Sequence, residues 1–353
     1  MAEKSVAVVP GDGIGIEVTR EATKVLRAVG DVMGVRFRLT EYDFGAERYL
    51  KTGETLPPAA LDEFRQHDAI FMGAFGDPRV PDMKHAADIL LGTRFQLDLY
   101  ANMRPVKLLS DRLCPLRDRT SADVDFVVFR ENTEGLYVGM GGIFKKGTPD
   151  EVAIQEDVNT RKGVERLIRF GFEHAMKTGR KKVLMSDKSN VLTYGHDLWQ
   201  RVFASVASEH PAFESSHMYV DALSMQMVKN PAQFEVIVTC NMFGDIITDI
   251  GAQIQGGLGL AASGNINPDG VSMFEPVHGS APKYAGRNTA NPFGAILTMQ
   301  LLVEHIGLAE AGRAIERAVV ACLDARENTS DLGGSLSTSA AGDAVCDRIR
   351  SGV

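Results

Sequence analysis

Short apolar runs recur along the chain with helical patterns between them, and this alternation is what most constrains the fold. Val6–Pro10 leads through a Gly-rich turn into apolar residues at helical spacing over Val18–Val29. Further apolar runs predict strands at Ala69–Met72, Phe126–Phe129, Lys182–Met185 and Val236–Thr239. Helical patterns lie between them, as at Lys162–Lys177 and Leu198–Val206. Strands that alternate with helices predict an α/β protein with a largely parallel sheet.

Length and charge narrow the class of protein further. The chain has 353 residues, and 38 Lys and Arg against 46 Asp and Glu give a net charge of −8. At about 100–200 residues per domain, this length predicts two domains or one large one. The acidic balance argues against nucleic-acid binding as the main task, because phosphate neutralisation needs concentrated basic residues. Neither a membrane-spanning run nor a signal-peptide pattern is found, which predicts a cytoplasmic protein.

The first Gly-rich turn does not match the dinucleotide-binding fingerprint. Gly11, Gly13 and Gly15 give G-x-G-x-G, but Ile16 stands where the fingerprint needs Gly or Ala. A tight turn from strand to helix is the simpler interpretation. Two other Gly-rich stretches, Gly139–Gly147 and Gly256–Gly270, predict a loop or protruding arm and a loose, turn-rich region.

The segment Asn241-Met-Phe-Gly-Asp-Ile-Ile-Thr-Asp249 gives the strongest local signal for chemistry. Asp245 and Asp249 are four residues apart, so both carboxylates share one face of a helix. A strand precedes them, and α/β proteins bind ligands at the carboxyl ends of strands. Oxygen ligands without Cys or His favour Mg²⁺ or Mn²⁺ over Zn²⁺. The alternative is a solvated acidic helix face, which the apolar surroundings disfavour.

Basic and phenolic side chains at the ends of elements give a second signal. Arg94, Arg104 and Arg130 lie in apolar or turn-rich surroundings, and convergent guanidinium groups match the carboxylates of a dianionic acid. Lys188 follows a strand, and Tyr137 follows Arg130 in the chain. Either could move a proton, although most Lys and Tyr residues do not.

Together these motifs closely resemble those of the β-decarboxylating dehydrogenases, which include isopropylmalate, isocitrate, homoisocitrate and tartrate/D-malate enzymes. The resemblance runs from Pro10-Gly-Asp-Gly-Ile-Gly15 to Asp331-Leu-Gly-Gly334, and its most specific parts are Asn241–Asp249 and Glu275-Pro-Val-His-Gly-Ser-Ala-Pro282. It implies a fold that is not a Rossmann fold, with two α/β domains and a cleft between them. Residues 1–99 plus 256–353 would form the first domain, and residues 100–255 the second.

The resemblance also implies roles for individual residues. The residues expected to bind the substrate's malate carboxylates are Arg94, Arg104 and Arg130. The expected acid–base residues are Tyr137 and Lys188. The expected metal ligands are Asp221, Asp245 and Asp249. The expected cofactor contacts are Glu275, His278, Gly279, Ser280, Ala281, Lys283, Asn291 and Asp331.

The same resemblance implies a homodimer with shared active sites. Lys188 and Asp221 would enter each site from the neighbouring subunit, and an arm near residues 139–157 would lie at the dimer interface. Some heteromeric relatives have lost catalysis and act as regulatory subunits. Such chains usually lack part of the site, whereas here the expected acid–base and metal residues are all present.

The choice of substrate depends on the residues before Arg94. Isocitrate enzymes resemble one another in carrying Ser and Asn where this chain has Asp88 and Leu90. Asp would repel an extra carboxylate, and Leu90 with Leu91 would offer an apolar wall. This favours 3-isopropylmalate, converted to 2-oxoisocaproate as in leucine biosynthesis.

Other departures keep further substrates open. Arg130-Glu-Asn-Thr-Glu-Gly135 is more similar to isocitrate and tartrate enzymes, and Ala87 replaces the Glu usual in isopropylmalate enzymes. Tartrate or D-malate is therefore the second candidate, ahead of isocitrate and homoisocitrate. The cofactor expected is NAD with Mg²⁺ or Mn²⁺. NADP stays open, because Lys283-Tyr284 resembles the NADP-dependent isocitrate enzymes.

Overall fold

A computed structural model describes residues 2–352, which form twelve β-strands and eleven α-helices. The strands are β1 (Ala2–Gly11), β2 (Val35–Glu41), β3 (Ala69–Ala74), β4 (Ala101–Lys107), β5 (Asp125–Glu131), β6 (Gly141–Phe144), β7 (Val152–Gln155), β8 (Lys182–Asp187), β9 (Glu214–Tyr219), β10 (Val236–Thr239), β11 (Ala262–Ile266) and β12 (Met273–Pro276). The helices are α1 (Ile14–Met33), α2 (Ala46–Thr52), α3 (Pro58–Phe64), α4 (Lys84–Gln96), α5 (Arg161–Thr178), α6 (Gly195–Ser208), α7 (Val220–Lys229), α8 (Asn241–Ile254), α9 (Phe293–His305), α10 (Ala309–Asp324) and α11 (Thr338–Ser351). The predicted α/β class is confirmed.

The chain divides into two compact units. The first comprises Met1–Leu99, Lys107–Ser121 and Ala252–Val353, and the second comprises Tyr100–Val106 and Ala122–Gly251. In the first unit the strands follow the order β2-β1-β3-β12-β11. The pairs of β1 with β2 and β3, and of β3 with β12, are parallel, whereas β11 is antiparallel to β12. Helices α1 and α9 pack on this sheet, α10 packs on both of them, and α11 packs on α1 and α10.

Helix α1 shows how the sequence pattern creates the core of the first unit. Its apolar residues at the predicted spacing, Val18, Val25 and Val29 among them, are completely buried. The helix ends at Gly34, whose left-handed φ of 68° lets its N–H bond the carbonyl of Gly30. Burial of one apolar stripe therefore fixes the helix on the sheet.

The second unit has the strand order β4-β5-β10-β8-β9, with parallel pairing from β5 to β9. The central strand β10 is buried along its whole length, as expected for a parallel strand covered on both faces. Helix α5 packs on β5, β8 and β10. The carboxyl ends of these strands lead directly to the residues predicted to act in chemistry.

The segment 107–121 lies in the first unit, which corrects its predicted place in the second domain. Side chains tie this segment to α10 and to residues that follow it. Lys107 bonds Glu316 at 2.6 Å, and Ser110 bonds Asp324 at 3.1 Å. The Arg112 guanidinium donates to the main-chain carbonyls of Leu323 and Leu332. These contacts join residues that are about two hundred positions apart, so the local pattern could not reveal them.

The stretch Gly256–Gly270, predicted to be loose, contains the buried strand β11. All five residues of this strand are buried. Its sequence, Ala-Ser-Gly-Asn-Ile, is rich in small and polar residues and lacks the alternation that marks a strand. Pairing with β12 supplies the order that local propensity does not. The prediction was therefore wrong for residues 262–266.

The first Gly-rich turn is a tight connection from β1 to α1, as predicted. The Asp12 carboxylate in this turn is buried and accepts the N–H groups of Ala46 at 2.7 Å and Gly76 at 2.8 Å. It also bonds Nε2 of the buried His85 at 2.8 Å. One side chain thus joins the turn to the starts of α2 and α4. No helix within residues 2–352 is long and apolar enough to cross a membrane.

Candidate active site

An ion pair at the end of strand β5 forms the centre of the candidate site. Arg130 lies beside Thr239, the last residue of β10, and α8 begins two residues later. Nη1 of Arg130 donates to Oδ1 of Asp245 at 2.5 Å. Arg130 is only 2% exposed, so this carboxylate neutralises a buried charge.

A second guanidinium group reaches the same carboxylate from β4. Nη1 of Arg104 lies 3.3 Å from Oδ1 of Asp245 and donates to the hydroxyl of Thr248 at 2.7 Å. Nε of Arg104 donates to Oδ1 of Asn102 at 2.7 Å. Two of the three predicted arginines therefore converge. The side chain of Asp245 is 41% exposed, so solvent reaches the cluster.

Asn241 connects Arg130 to the loop that carries Tyr137. Its main-chain carbonyl accepts Nε of Arg130 at 2.8 Å, and its side-chain oxygen accepts Nη2 at 2.7 Å. Its Nδ2 donates to the main-chain carbonyl of Glu134 at 3.1 Å. An amide is needed here, because the same side chain both accepts and donates.

Tyr137 joins the cluster through its hydroxyl, which donates to Oδ2 of Asp245 at 2.9 Å. The Arg130 guanidinium carbon lies 5.1 Å from the centre of its ring. Burial and then the neighbouring Asp245 carboxylate raise the pKa of Tyr137 above its usual value, against the opposing effect of the two arginines. The phenol therefore stays protonated at neutral pH and can donate a proton.

Lys188 and Asp221 form a separate pair in the second unit. Lys188 directly follows β8, and Asp221 lies in the first turn of α7. Their Nζ and Oδ1 atoms are 2.7 Å apart. The hydrogen bond from Lys188 is the main cause that holds the pKa of Asp221 below its usual value, so this carboxylate is ionised at neutral pH.

The three predicted metal ligands do not assemble within one chain. Asp245 and Asp249 lie one turn apart on α8, but Asp221 does not join them. Within residues 2–352, no three His, Cys, Asp or Glu side chains come together so that they could hold a metal ion. A single chain thus offers a pair of carboxylates on α8 and a third beside Lys188.

In the first unit, Arg94 is buried near the end of α4 and pairs with Glu275 on β12. Nη2 of Arg94 lies 2.6 Å from Oε1 of Glu275, which also accepts Nδ2 of Asn265 at 2.9 Å. Nε of Arg94 is buried and has no hydrogen-bond partner in the described part of the chain. Glu275, predicted to contact the cofactor, is thus a partner of Arg94.

Leu90 and Leu91, the predicted apolar wall, are both partly buried on α4. Leu90, like Leu56 and Leu61, packs against a core cluster of the first unit. The buried residues of this cluster include Phe64, Ile70 and Ile89. The neighbouring Asp88 carboxylate pairs with Lys84 at 2.6 Å and accepts the Thr55 hydroxyl at 3.0 Å. Leu90 therefore has a core contact, and its role as part of an apolar wall for the substrate stays a prediction.

The predicted cofactor residues lie in two places in the first unit. The loop after β12 packs on the Gly-rich turn, where Ser280 accepts the N–H of Ile14 at 2.8 Å. A Cβ on Gly13 would lie 2.1 Å from that Ser280 carbonyl oxygen, which explains the glycine. The other location is the pair of Asn291 and Asp331, in which the Asn291 amide donates to the Asp331 carboxylate at 3.0 Å.

Comparisons with known proteins give the chain its family. The model of the isocitrate/isopropylmalate dehydrogenase family matches residues 5–345. The chain belongs to the isocitrate/isopropylmalate dehydrogenase family. It is therefore a dehydrogenase, and the resemblance inferred from its motifs is confirmed.

Curated and solved relatives in this family match nearly the whole chain. It is 49% identical over 345 residues to 3-isopropylmalate dehydrogenase of Thermobifida fusca, with 97% of each covered. It is 50% identical over 326 residues to 3-isopropylmalate dehydrogenase of Nocardia farcinica, with 92% of this chain and 95% of the relative covered. The crystal structure of isocitrate dehydrogenase from Methylococcus capsulatus is 37% identical and superposes with a TM-score of 0.90, covering 99% of this chain and all of that one.

Several residues that build this family member's site were not predicted as site residues. The two arginines are held by Asn102, Asn241 and Thr248. Asn241 and Thr248 had a signal, because both lie in the motif Asn241–Asp249, whereas Asn102 had none. The contact between Asp12 and His85, which joins the Gly-rich turn to α4, was likewise not predicted. The two residues are 73 positions apart in the sequence, so motif spacing could not predict their contact.

Replacing Asp245 by Asn should lower the pKa of Tyr137. The substitution removes the negative charge that opposes tyrosinate and leaves Arg104 and Arg130, which favour it. Ultraviolet absorbance of tyrosinate across pH measures this, as the difference between each protein and its Tyr137→Phe derivative. Asp249→Asn is the matched control, since it removes the same charge from α8 one turn away from the Tyr137 hydrogen bond. Equal behaviour of the two variants would contradict the geometry.

Proposed function

We propose that the protein oxidises and decarboxylates 3-isopropylmalate to 2-oxoisocaproate, the reaction of leucine biosynthesis, with NAD and Mg²⁺ or Mn²⁺. The observation that carries this proposal is the convergence of Arg104, Arg130 and Tyr137 on Asp245 at the carboxyl ends of β5 and β10. The names of the curated relatives support the choice of substrate. The balanced reaction takes 3-isopropylmalate and NAD⁺ to 2-oxoisocaproate, CO₂ and NADH.

Substrate carboxylates are proposed to bind the guanidinium groups. Arg104 and Arg130 bring two guanidinium groups to the partly exposed carboxylate of Asp245, and guanidinium groups bind carboxylates with paired hydrogen bonds. Arg94 is proposed as the third arginine, because its buried Nε lacks a partner within residues 2–352 and can donate to a carboxylate oxygen.

The proposed metal ligands suit a hard divalent cation. Asp245 and Asp249 offer carboxylate oxygens from one face of α8, and Asp221 is kept ionised by Lys188. An all-oxygen set of this kind fits Mg²⁺ or Mn²⁺. Because the three do not come together in one chain, Asp221 is proposed to reach the site from a second subunit.

The loop after β12 offers groups for a dinucleotide. Nδ1 of His278 bonds the carbonyl of Gly279 at 3.1 Å, which leaves the buried Nε2 as an acceptor with no partner in the described chain. A hydroxyl or amino group of a cofactor fits this acceptor. The proposed cofactor contacts near His278 are Gly279, Ser280, Ala281 and Lys283. Asn291 and Asp331, which bond each other elsewhere in the first unit, are proposed as further contacts. We propose NAD, and NADP is tested beside it.

The proton transfers are assigned to Lys188 and Tyr137. Lys188 accepts the proton of the C2 hydroxyl during oxidation, and Tyr137 donates a proton to the carbon that has lost CO₂. When bound, the divalent cation would stabilise negative charge on the C2 oxygen and NAD would accept the hydride. Arg104 and Arg130 hold the carboxylates while these steps proceed.

A homodimer is proposed from the exposed surface of the second unit. The hairpin of β6 and β7 is exposed along both strands and displays five large apolar side chains. They are Met140, Ile143, Phe144, Val152 and Ile154, each about half exposed. An isolated two-stranded hairpin is marginally stable in water, so this arm needs a covering surface. A second copy of the chain would cover it and supply the missing Asp221 and Lys188.

A spectrophotometric panel tests the function directly. The purified protein is mixed with Mg²⁺ or Mn²⁺, NAD or NADP, and one of 3-isopropylmalate, isocitrate, tartrate or D-malate. Reduction of NAD with 3-isopropylmalate at the highest kcat/KM is the expected result. A preference for tartrate or D-malate would overturn the choice of substrate, and no activity with any acid would support a regulatory subunit instead.

Truncating Leu90 to Ala should lower kcat/KM for 3-isopropylmalate much more than for D-malate, which has no alkyl branch. One or two lost methylene contacts are worth about 1–3 kcal/mol, or roughly 10–200-fold in discrimination. The matched control is Leu61→Ala, because Leu61 packs on the same core cluster from α3. It should lower the melting temperature without changing the ratio of the two substrates. Equal losses on both acids in Leu90→Ala would identify Leu90 as a core residue only.

Shared sites predict complementation between two inactive variants. Lys188→Ala and Tyr137→Phe proteins should each be inactive, and subunit exchange between them should restore part of the activity. A mixed dimer would contain one site with both residues intact. Exchange proven by mass spectrometry of differently tagged chains, with no recovery, would show that both residues serve the same chain's site.

A further inference from the structure

A buried histidine contacts the main chain of Lys188. His196, in the first turn of α6, is 1% exposed. Its Nδ1 accepts the main-chain N–H of Lys188 at 2.9 Å. The main-chain carbonyl of Lys188 in turn accepts the N–H groups of Val191 and Leu192, at 3.0 and 2.9 Å. Both polar groups of the Lys188 backbone are therefore fixed, and with them the direction in which its side chain leaves the chain.

The residues on either side of Lys188 are fixed separately. Asp187 is completely buried, and its carboxylate accepts the N–H of Ser189 at 3.1 Å and Nε2 of Gln200 at 2.9 Å. It also bonds Nε2 of His217 on β9 at 2.9 Å. These bonds hold the end of β8, whereas the N–H of Lys188 itself is bonded by His196.

The surroundings of His196 determine which nitrogen faces Lys188. The ring meets Phe243 of α8 edge-on, with 5.4 Å between ring centres, and Nε2 lies 3.9 Å from Oδ2 of Asp157. Burial lowers the pKa of His196, against the opposing charges of Asp187 and Asp157. A neutral ring that accepts at Nδ1 carries its proton on Nε2, on the side of Asp157.

We propose that His196 is a positioning residue for Lys188: its Nδ1 fixes the Lys188 backbone so that the side-chain amine is presented beside Asp221. This inference rests on the proposed function, in which Lys188 accepts the substrate proton. A lysine side chain has four rotatable bonds, so its amine is placed accurately only if the backbone from which it starts is fixed. The proposal thus assigns a role in the reaction to a residue that touches neither substrate nor cofactor.

The alternative is a histidine that merely fills the space between α6 and α8. Two substitutions of the same polarity separate the two roles. In His196→Asn, the side-chain oxygen stands near the position of Nδ1 and can still accept the Lys188 N–H. In His196→Gln, the amide lies one methylene farther out, near the position of Nε2. The same change to Asn at His174, which packs edge-on against Phe129, is the control for replacing a histidine in this unit.

Steady-state kinetics with the best acid of the panel gives the first measurement. His196→Gln should lower kcat by about 10- to 100-fold with little change in KM for the acid, because the reacting groups are misplaced while the arginines still bind substrate. His196→Asn should retain most of kcat, as should His174→Asn. Melting temperatures, measured in parallel, should not follow the kcat values. Equal kcat in the Asn and Gln variants would overturn the proposal.

Chemical labelling gives a measurement that does not depend on activity. Lys188 is acylated with an amine-reactive reagent, and the product is measured by peptide mass spectrometry. Acylation should be faster in His196→Gln than in wild type, because the Lys188 amine would lose its hydrogen bond to Asp221. His196→Asn should react like wild type. If wild type oxidises no acid of the panel, the proposed function fails while labelling still decides the inference. Unchanged labelling of Lys188 in both variants would refute the positioning role.

Discussion

The carboxylate of Asp245 pairs with two guanidinium groups, and the arrangement of the second unit's candidate site depends on this interaction. Arg130 is almost completely buried, and a buried charge without a partner costs several kcal/mol. The helix that supplies the carboxylate must therefore begin close to the end of β5. Gly244 permits this approach, because a Cβ there would lie 2.5 Å from Cβ of Arg130. A methyl group at this position would displace the helix and separate the charges.

The other contacts of the cluster follow from that ion pair. Asn241 accepts a hydrogen bond from the fixed Arg130 and donates one to the loop that carries Tyr137. The Tyr137 hydroxyl in turn donates to the carboxylate of Asp245. Phenol and carboxylate share one hydrogen bond, so the state of each depends on the other. Under the proposed function, an anionic acid that binds Arg104 and Arg130 would replace part of their pairing with Asp245. Under the proposed function, the Asp245 carboxylate would then be available to bind a cation.

Sequence patterns predicted the elements well and their non-local contacts poorly. Apolar periodicity located β3, β5, β8 and β10, because burial of these strands is a local property of the chain. It missed β11, whose order comes from pairing with β12. The motif Asn241–Asp249 indicated a site, but the bond from Asp245 to Arg130 spans 115 positions and leaves no local trace. Likewise, spacing could not show that Asp12 holds His85, or that Arg112 ties residues 107–121 to the first unit.

Of the departures of this chain from the family's motifs, those at Asp88 and Leu90 lie on α4 of the first unit, where the substrate's substituent is proposed to bind. Asp88 was expected to repel a third carboxylate, but Lys84 pairs with it at 2.6 Å and offsets much of its charge. Electrostatic exclusion at this position is therefore weaker than the sequence suggests. Under the proposed function, discrimination among the acids would then depend more on the shape and apolar character of Leu90 and Leu91 than on the charge of Asp88. Packing on the core cluster fixes the position of Leu90. A fixed apolar surface would select an alkyl branch better than a mobile one.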